Sequence, residues 1–396
     1  MSDAPPPPRR LLRIADRVER RVDVVKDRLR ARYDQDDPIQ ILAYRGFGSA
    51  DRLFAEGRVL QDEPIGESSK GDSLWRNIGN TWKRFESDEV KNARVLARFG
   101  GWEGEAVTDE EGYFRFEIPP PERPDPAKLW HGVELTLLQP ALPEPVRAIG
   151  AIMVPQPDAR FGIISDIDDT VIETGVTRKL AMARTVFLRN AHTRLPFKGV
   201  AAFYDALHEE REGRGPNPIF FVSGSPWNLY DLLAEFMDLH HIPQGPLRLK
   251  DFGLDPRKLL KTDTREHKLG CIEPIFGLYP ELRFILIGDS GEQDPEIYRE
   301  VVRRHPGRVL AIYIRDVGNR PGREAQVQAL AREIEHEGIP MLLVKDTVAA
   351  AVHAAERGWI DPDRLPDVRE EKKKDEAAPS PTEVMLKPDA AKTPEG

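Results

Sequence analysis

Ile163-Ile164-Ser165-Asp166-Ile167-Asp168-Asp169-Thr170 is the stretch that decides the reading of this sequence. An apolar run leads straight into three carboxylates, and Val171-Ile172 follows them. Acids this close repel one another unless a cation or a proton sits among them. A solvated acidic loop would not be framed by apolar residues on both sides. The pattern therefore places the acids at the end of a buried strand.

Two further apolar runs end in polar clusters. Phe220-Phe221-Val222 leads into Ser223-Gly224-Ser225-Pro226-Trp227. A hydroxyl and a glycine amide at a strand end can both donate to a phosphate oxygen. Ser225 reads as a helix N-cap and Pro226 as the first helical residue, so the free amides of that helix would point at the same place. Taken alone, the segment is equally an ordinary strand–turn–helix. Phe284-Ile285-Leu286-Ile287 leads into Gly288-Asp289-Ser290-Gly291-Glu292-Gln293-Asp294. Oxygen ligands from two strand ends suit Mg²⁺ better than zinc, because no His or Cys is placed to help. Lys268, in Arg265-Glu266-His267-Lys268-Leu269, sits at the start of an expected helix, and its spacing before Asp289 sets it apart from a surface lysine.

From Arg160 to about Arg357 such runs, including Leu310–Ile314 and Met341–Val344, alternate with helical patterns. Near-continuous apolar strands with helices between them predict an α/β unit whose parallel sheet is covered on both faces. In such sheets the active site lies at the carboxyl ends of the strands.

Taken together, the three clusters and the intermediate lysine resemble the four motifs of the haloacid dehalogenase-like phosphatases. More closely, Ser165–Ile172, Phe221–Tyr230 and Ile285–Tyr298 resemble the actin patch protein 1 family of phosphatidate phosphatases. The resemblance covers about Phe161 to Lys345. Lipin phosphatidate phosphatases carry Gly where Asp169 stands, so the chain does not look like a lipin. The resemblance implies a doubly wound haloacid dehalogenase-like domain with a small helical cap. It also implies Mg²⁺-dependent hydrolysis of a phosphate monoester, with an anionic phospholipid, phosphatidate, as substrate and diacylglycerol as product.

Carried over residue by residue, the resemblance makes Asp166 the nucleophile that becomes an aspartyl-phosphate. Asp168 becomes the acid that protonates the leaving alkoxide and then the base that activates water. Asp166, Asp168, Asp289 and Asp294 would hold the metal. Ser223, Gly224 and Lys268 would bind the phosphoryl oxygens, and Thr170 would orient Asp168. Asp169 receives no role. Two other readings stay open: a phosphatase of a soluble phosphometabolite or phosphoprotein, and a binding protein with a vestigial phosphatase fold.

The chain has 396 residues, 40% of them hydrophobic, which is too long for one small core. Residues 1–36 open on a Pro-rich start, expected to be disordered, and continue as an Arg-rich amphipathic helix with Leu11, Ile14, Val18, Val22, Val25 and Leu29 on one stripe. That helix could lie on an anionic membrane, dock on its own domain or pair with a second copy. Residues 37–157 read as short alternating strands, a β-sandwich, with a helical insertion at about Ser68–Ser87. Residues 158–360 form the catalytic domain, with a basic cap at about 173–217. Residues 361–396 are expected to be a disordered charged tail.

A net charge of −9 argues against generic nucleic-acid binding. The single cysteine, Cys271, allows no intrachain disulfide and reads as a small packed residue. No signal-peptide core and no stretch approaching the ~20 apolar residues of a membrane span is seen. The expected location is cytoplasmic, with peripheral contact at the inner membrane surface.

An acidic protein that approaches an anionic bilayer needs a local basic patch, each Lys or Arg there contributing about 1 kcal/mol within a Debye length. Vesicle binding is therefore expected to weaken as salt rises, and to weaken further when residues 1–33 are deleted. Activity on a soluble ester is expected to survive that deletion. Equal loss of both activities would make the helix a structural part of the fold.

Overall fold

The apolar runs become parallel strands, and their alternating side chains enter two different cores. The computed structural model describes residues 38–61, 88–167, 199–211, 213–250, 264–317 and 321–377. It divides into two units, residues 1–40 with 60–88 and residues 41–59 with 89–396. Few residues of the first unit are described, and the site lies in the second.

The strands of the amino-terminal half are β1 (Ile39–Ala43), β2 (Gly46–Gly48), β3 (Leu53–Gln61), β4 (Asp88–Glu89), β5 (Arg94–Phe99), β6 (Trp102–Val107), β7 (Tyr113–Ile118), β8 (Trp130–Gln139) and β9 (Arg147–Met153). They form a mixed sheet with the order β3-β2-β9-β8-β5-β6, and β7 joins β3. Alternation does the sorting. Phe114, Phe116 and Ile118 on β7 and Val133, Leu135 and Leu137 on β8 are buried, while Arg115, Glu117, Gly132 and Glu134 between them are exposed.

The second sheet is parallel, with the order β12-β11-β10-β13-β14-β15. Its strands are β10 (Gly162–Asp166), β11 (Ile219–Pro226), β12 (Leu247–Lys250), β13 (Phe284–Asp289), β14 (Val309–Arg315) and β15 (Met341–Val344). Ile163, Phe221, Ile285, Ile287 and Tyr313 enter one core. Ile164, Phe220, Val222, Leu286 and Ile312 enter the other. This period of two explains why the runs are apolar without a break, since both faces are covered.

Four helices cover the first face: α1 (Val200–His208), α2 (Tyr230–Leu239), α6 (Thr347–Glu356) and α7 (Leu365–Ala377). Three cover the second: α3 (Thr264–Leu278), α4 (Asp294–Arg304) and α5 (Arg323–Glu335). Among the described residues no helix is long and apolar enough to cross a membrane.

Three sequence expectations change here. Part of the segment assigned to a cap, residues 199–217, carries α1, whose Val200, Phe203, Tyr204 and Leu207 are buried against the sheet. Residues 361–377, expected to be a disordered tail, contain α7. Charged composition hid its anchors: Val368 is buried, Glu371 accepts from the Ala202 amide of α1 at 2.7 Å, and Lys372 pairs with Asp346 at 2.7 Å. The helix read as starting at Pro226 starts at Tyr230. β11 runs on beside β12 as far as Pro226, and a 3₁₀ turn over Trp227–Leu229 follows. The basic helix within residues 1–36, the insertion at Ser68–Ser87, residues 173–198 of the cap and residues 378–396 lie outside the described residues.

Gly199 caps α1 with φ +73°, and a Cβ there would stand 3.0 Å from Thr347 Oγ1 and from the Val368 carbonyl. Only glycine fits both constraints. At the other end of α1, Nδ1 of His208 donates to the Asn217 carbonyl at 2.7 Å. Burial pushes this imidazole below its usual range, against the pull of that hydrogen bond and of Asp205. The unfolded chain then takes up the proton first, at about pH 6.5, so stability falls as pH drops through that value. His208→Gln is expected to flatten the loss, and melting curves of both proteins at pH 7.5 and 5.5 check it.

Candidate active site

β10 is the strand at which the chain switches direction across the sheet. β11 and β12 were laid down on one side of it, β13 to β15 on the other. Loops diverge at such a point and leave a crevice at the carboxyl ends. Asp166 is the last residue of β10 and lies opposite Val222, so Ser223 stands one step beyond it on β11. On the other side Ser165 lies opposite Ile287, which puts Asp289 two residues further along β13.

Asp166, Asp289 and Asp294 converge, each offering a carboxylate oxygen within 4.8 Å of the others. All three are buried. Lys268 reaches them from α3. Its Nζ lies 2.7 Å from Asp166 Oδ1, 2.6 Å from Asp294 Oδ1 and 2.8 Å from Glu292 Oε2. The ammonium donates hydrogen bonds to Asp294 and Glu292 and stands at ion-pair distance from Asp166. Burial disfavours this charge, but Asp166, Asp294 and Glu292 outweigh it and hold the Lys268 pKa well above the usual lysine range.

Asp289 is fixed by its own loop. The amides of Gly291 and Glu292 donate to its Oδ1 at 2.7 and 3.0 Å. Its own amide donates to Asp294 Oδ2 at 3.1 Å. Burial and the neighbouring charge of Asp294 push its carboxyl up to about 6, against those amides and Lys268. Gly288 makes this closeness possible, since a Cβ there would stand 2.4 Å from Asp294 Oδ2. Arg323, at the start of α5, ties the loop down. It donates to the carbonyls of Ser290 and Glu292 at 2.8 and 2.7 Å and forks onto Glu296.

On the β11 side Ser223 is fully buried, and its Oγ accepts from the Ser225 amide at 2.9 Å. Gly224 follows in a register break between Val222 and Pro226. Nε2 of His267, the neighbour of Lys268, lies 3.1 Å from the Ser223 carbonyl. Behind Asp166, the hydroxyls of Ser165 and Tyr204 meet at 2.6 Å.

The structure thus brings Asp166, Asp289, Asp294 and Lys268 together, and places Ser223 and Gly224 on the adjacent strand end. Asp168, Asp169 and Thr170 lie outside the described residues. The sequence reading gave no role to Glu292, His267 or Arg323. Glu292 had one signal, its membership of an acidic run after a strand. His267 had none beyond its place next to Lys268, and Arg323 stands 34 residues beyond Asp289 with no local pattern to mark it. Cys271 is buried, and burial pushes its thiol up to about 11, in keeping with a packed, unreactive residue.

With this geometry in view, residues 161–316 match the family described as phosphatidate phosphatase APP1, catalytic domain. The phosphatidate phosphatase APP1 of Saccharomyces cerevisiae is 34% identical over 194 residues, covering 48% of this chain and 32% of that protein. A protein of Schizosaccharomyces pombe described as uncharacterized is 30% identical over 241 residues, covering 59% of this chain and 37% of its own length. The chain therefore spans about a third of the length of these curated relatives. Among solved structures, XAC1771, a carbohydrate acetylesterase from Xanthomonas citri, aligns over 78% of this chain and 68% of its own with 10% identity and a TM-score of 0.28. So remote a likeness carries no argument.

The lysine is the test of this APP1-like site. Lys268→Met leaves the buried Asp166 and Asp294 and the partly buried Glu292 around an apolar side chain. Removing one partner of a buried ion pair costs about 3–5 kcal/mol. In chelator the variant is expected to melt well below the parent protein, and added Mg²⁺ is expected to narrow the gap by supplying a cation to the same carboxylates. Equal melting temperatures in chelator would show that Lys268 is not the counter-charge of the cluster.

Proposed function

We propose that this chain is a magnesium-dependent phosphomonoesterase of the haloacid dehalogenase-like type, acting through an aspartyl-phosphate on Asp166. The observation that carries the reading is the meeting of Asp166, Asp289, Asp294 and Lys268 at the carboxyl end of the sheet, beside Ser223. Phosphatidate is the substrate suggested by the family description and by the name of the yeast relative.

The donor set fits a hard divalent cation. Three carboxylates at mutual oxygen distances within 4.8 Å offer only oxygen, and each is largely withdrawn from water. Asp166, Asp289 and Asp294 would hold Mg²⁺, with Asp168 as a further ligand. The bound ion would supply electrostatic relief to an anion attacked by an anion.

The remaining work belongs to the chain's own residues. Asp166 attacks phosphorus in line, forming a P–O bond as the ester oxygen leaves with the phosphorus-bound electron pair. Asp168 protonates that leaving alkoxide, then takes a proton from the water that hydrolyses the acyl phosphate, so both acid–base states are regenerated. Ser223 and the Gly224 amide donate to phosphoryl oxygens. Lys268 joins them when a phosphoryl oxygen replaces Glu292, the most exposed of its three carboxylate neighbours, at 15% of side-chain area. The raised pKa of Asp289 fits a site built to be completed by positive charge.

Asp166→Asn is the direct test. An amide is a poor nucleophile and a weaker ligand, so phosphate release is expected to fall by a factor on the order of 10⁴ or more. The fold is expected to persist, because Asp294 and Glu292 still hold Lys268 and repulsion among the carboxylates is reduced. Phosphate release from phosphatidate micelles and from a panel of soluble esters, with Mg²⁺ and with chelator, is measured beside the melting temperature. Substantial retained turnover would rule out the aspartyl-phosphate route. Hydrolysis of soluble esters alone would remove phosphatidate as the substrate.

A further inference from the structure

The segment that carries Ser223 and Gly224 has an unusual support. Along β11 and β12, Val222 lies opposite Arg248 and Pro226 opposite Lys250, so four steps on β11 match two on β12. Ser223-Gly224-Ser225 thus face the single residue Leu249, an excess of two that makes a bulge. Bulged residues lose ladder hydrogen bonds, so the direction of their amides depends on other restraints. Here both ends of the bulge are gripped by side chains of the segment that runs from the β1–β2 link to β3.

At the first end, Arg248 pairs with Glu56 of β3 at 2.6 Å, with the two side chains 18% and 15% exposed. The guanidinium also lies 5.5 Å from the ring centre of Phe47 on β2 and 5.7 Å from that of Trp227. A half-buried, charge-assisted pair with two aromatic faces is a stiffer contact than a surface ion pair. At the second end, Trp227 stacks on Tyr44 with centroids 5.3 Å apart and planes at 11°. Tyr44 is buried and stacks in turn on Tyr230 at 3.9 Å. The Tyr230 hydroxyl accepts from the Arg45 amide at 2.6 Å.

We propose that Glu56 and Tyr44 are positioning residues for the phosphoryl-binding bulge, acting through Arg248 and Trp227. The preceding sheet is then a working wall of the catalytic site. Neither residue lies within the segment 161–316 that matches the catalytic family. The inference rests on the phosphatase reading above for what the bulge binds. The clamp itself is read from contacts alone.

The test uses the full chain with Glu56→Gln, which keeps the side-chain shape and removes the charge, and Tyr44→Leu, which removes the stack. Backbone hydrogen exchange is followed by mass spectrometry, and a soluble phosphate monoester is assayed with inorganic phosphate as a competing probe. Exchange across residues 222–230 is expected to speed up about tenfold or more in each variant while residues 284–315 keep the parent rate. The kcat/KM and the affinity for inorganic phosphate are expected to fall together by about tenfold. Glu56→Asp, which keeps the charge, is expected to recover part of both. Unchanged exchange at 222–230 in Glu56→Gln overturns the proposal, as does acceleration spread evenly over the parallel sheet. If Tyr44→Leu fails to fold, Glu56→Gln alone decides. If the parent protein hydrolyses no ester, the phosphatase reading fails, and the exchange data still decide whether the clamp exists.

Discussion

Three buried carboxylates around one buried ammonium set the terms for the rest of this structure. Taking Lys268, Asp166 and Asp294 out of water is costly, and their attraction offsets that cost only when the geometry is held tightly. The holding is visible on every side. Parallel register fixes Asp166 between β11 and β13, and α3 brings Lys268 in from the face it covers. Gly291 and Glu292 aim their amides at Asp289, and Arg323 pins the carbonyls of that same loop. A single cation cannot neutralise four acids. The cluster is left with more carboxylates than one ammonium can match, and at Asp289 burial, with the charge of Asp294 added to it, raises the pKa.

How much of this was legible in the sequence depended on whether the signal was local. The strand ends were legible because both faces of the parallel sheet are covered, so each strand is an unbroken apolar run and its polar end stands out. Lys268 was legible from its place between two strand ends. The helix start at Pro226 was misread because the Ser-Pro pair is a sound local signal that lost to a non-local one, the pairing of Pro226 with Lys250. The order in residues 361–377 was hidden for a similar reason. Leu365–Ala377 looks like a solvated charged run, and the residues that hold it, Ala202 and Asp346, lie 169 and 26 positions away from their partners.

The contacts of Tyr44, Glu56 and Arg248 show the same limit in its strongest form. Glu56 and Arg248 are 192 positions apart. Nothing in the alternation of β3 marks Glu56 as different from any other half-buried acid on a sheet. Its meaning comes only from the docking of one sheet on the other, a docking that also buries Phe47 against Phe220 at 5.9 Å and lets the Tyr279 hydroxyl donate to the Gly48 carbonyl at 2.9 Å.

This bears on where the functional unit ends. The family match begins at residue 161 and stops at residue 316, and it contains Asp166, Lys268 and the acidic loop. Yet the loop carrying Asp289 and Glu292 is tied down by Arg323, which lies beyond the match. The strand end carrying Ser223 is flanked by side chains that touch Tyr44, Phe47 and Glu56, which lie before it. A similarity boundary records where sequences align, whereas the geometry of a site extends as far as the contacts that restrain it. Here the aligned segment holds the charged groups, and contacts from outside it add to those that restrain two of its three strand ends.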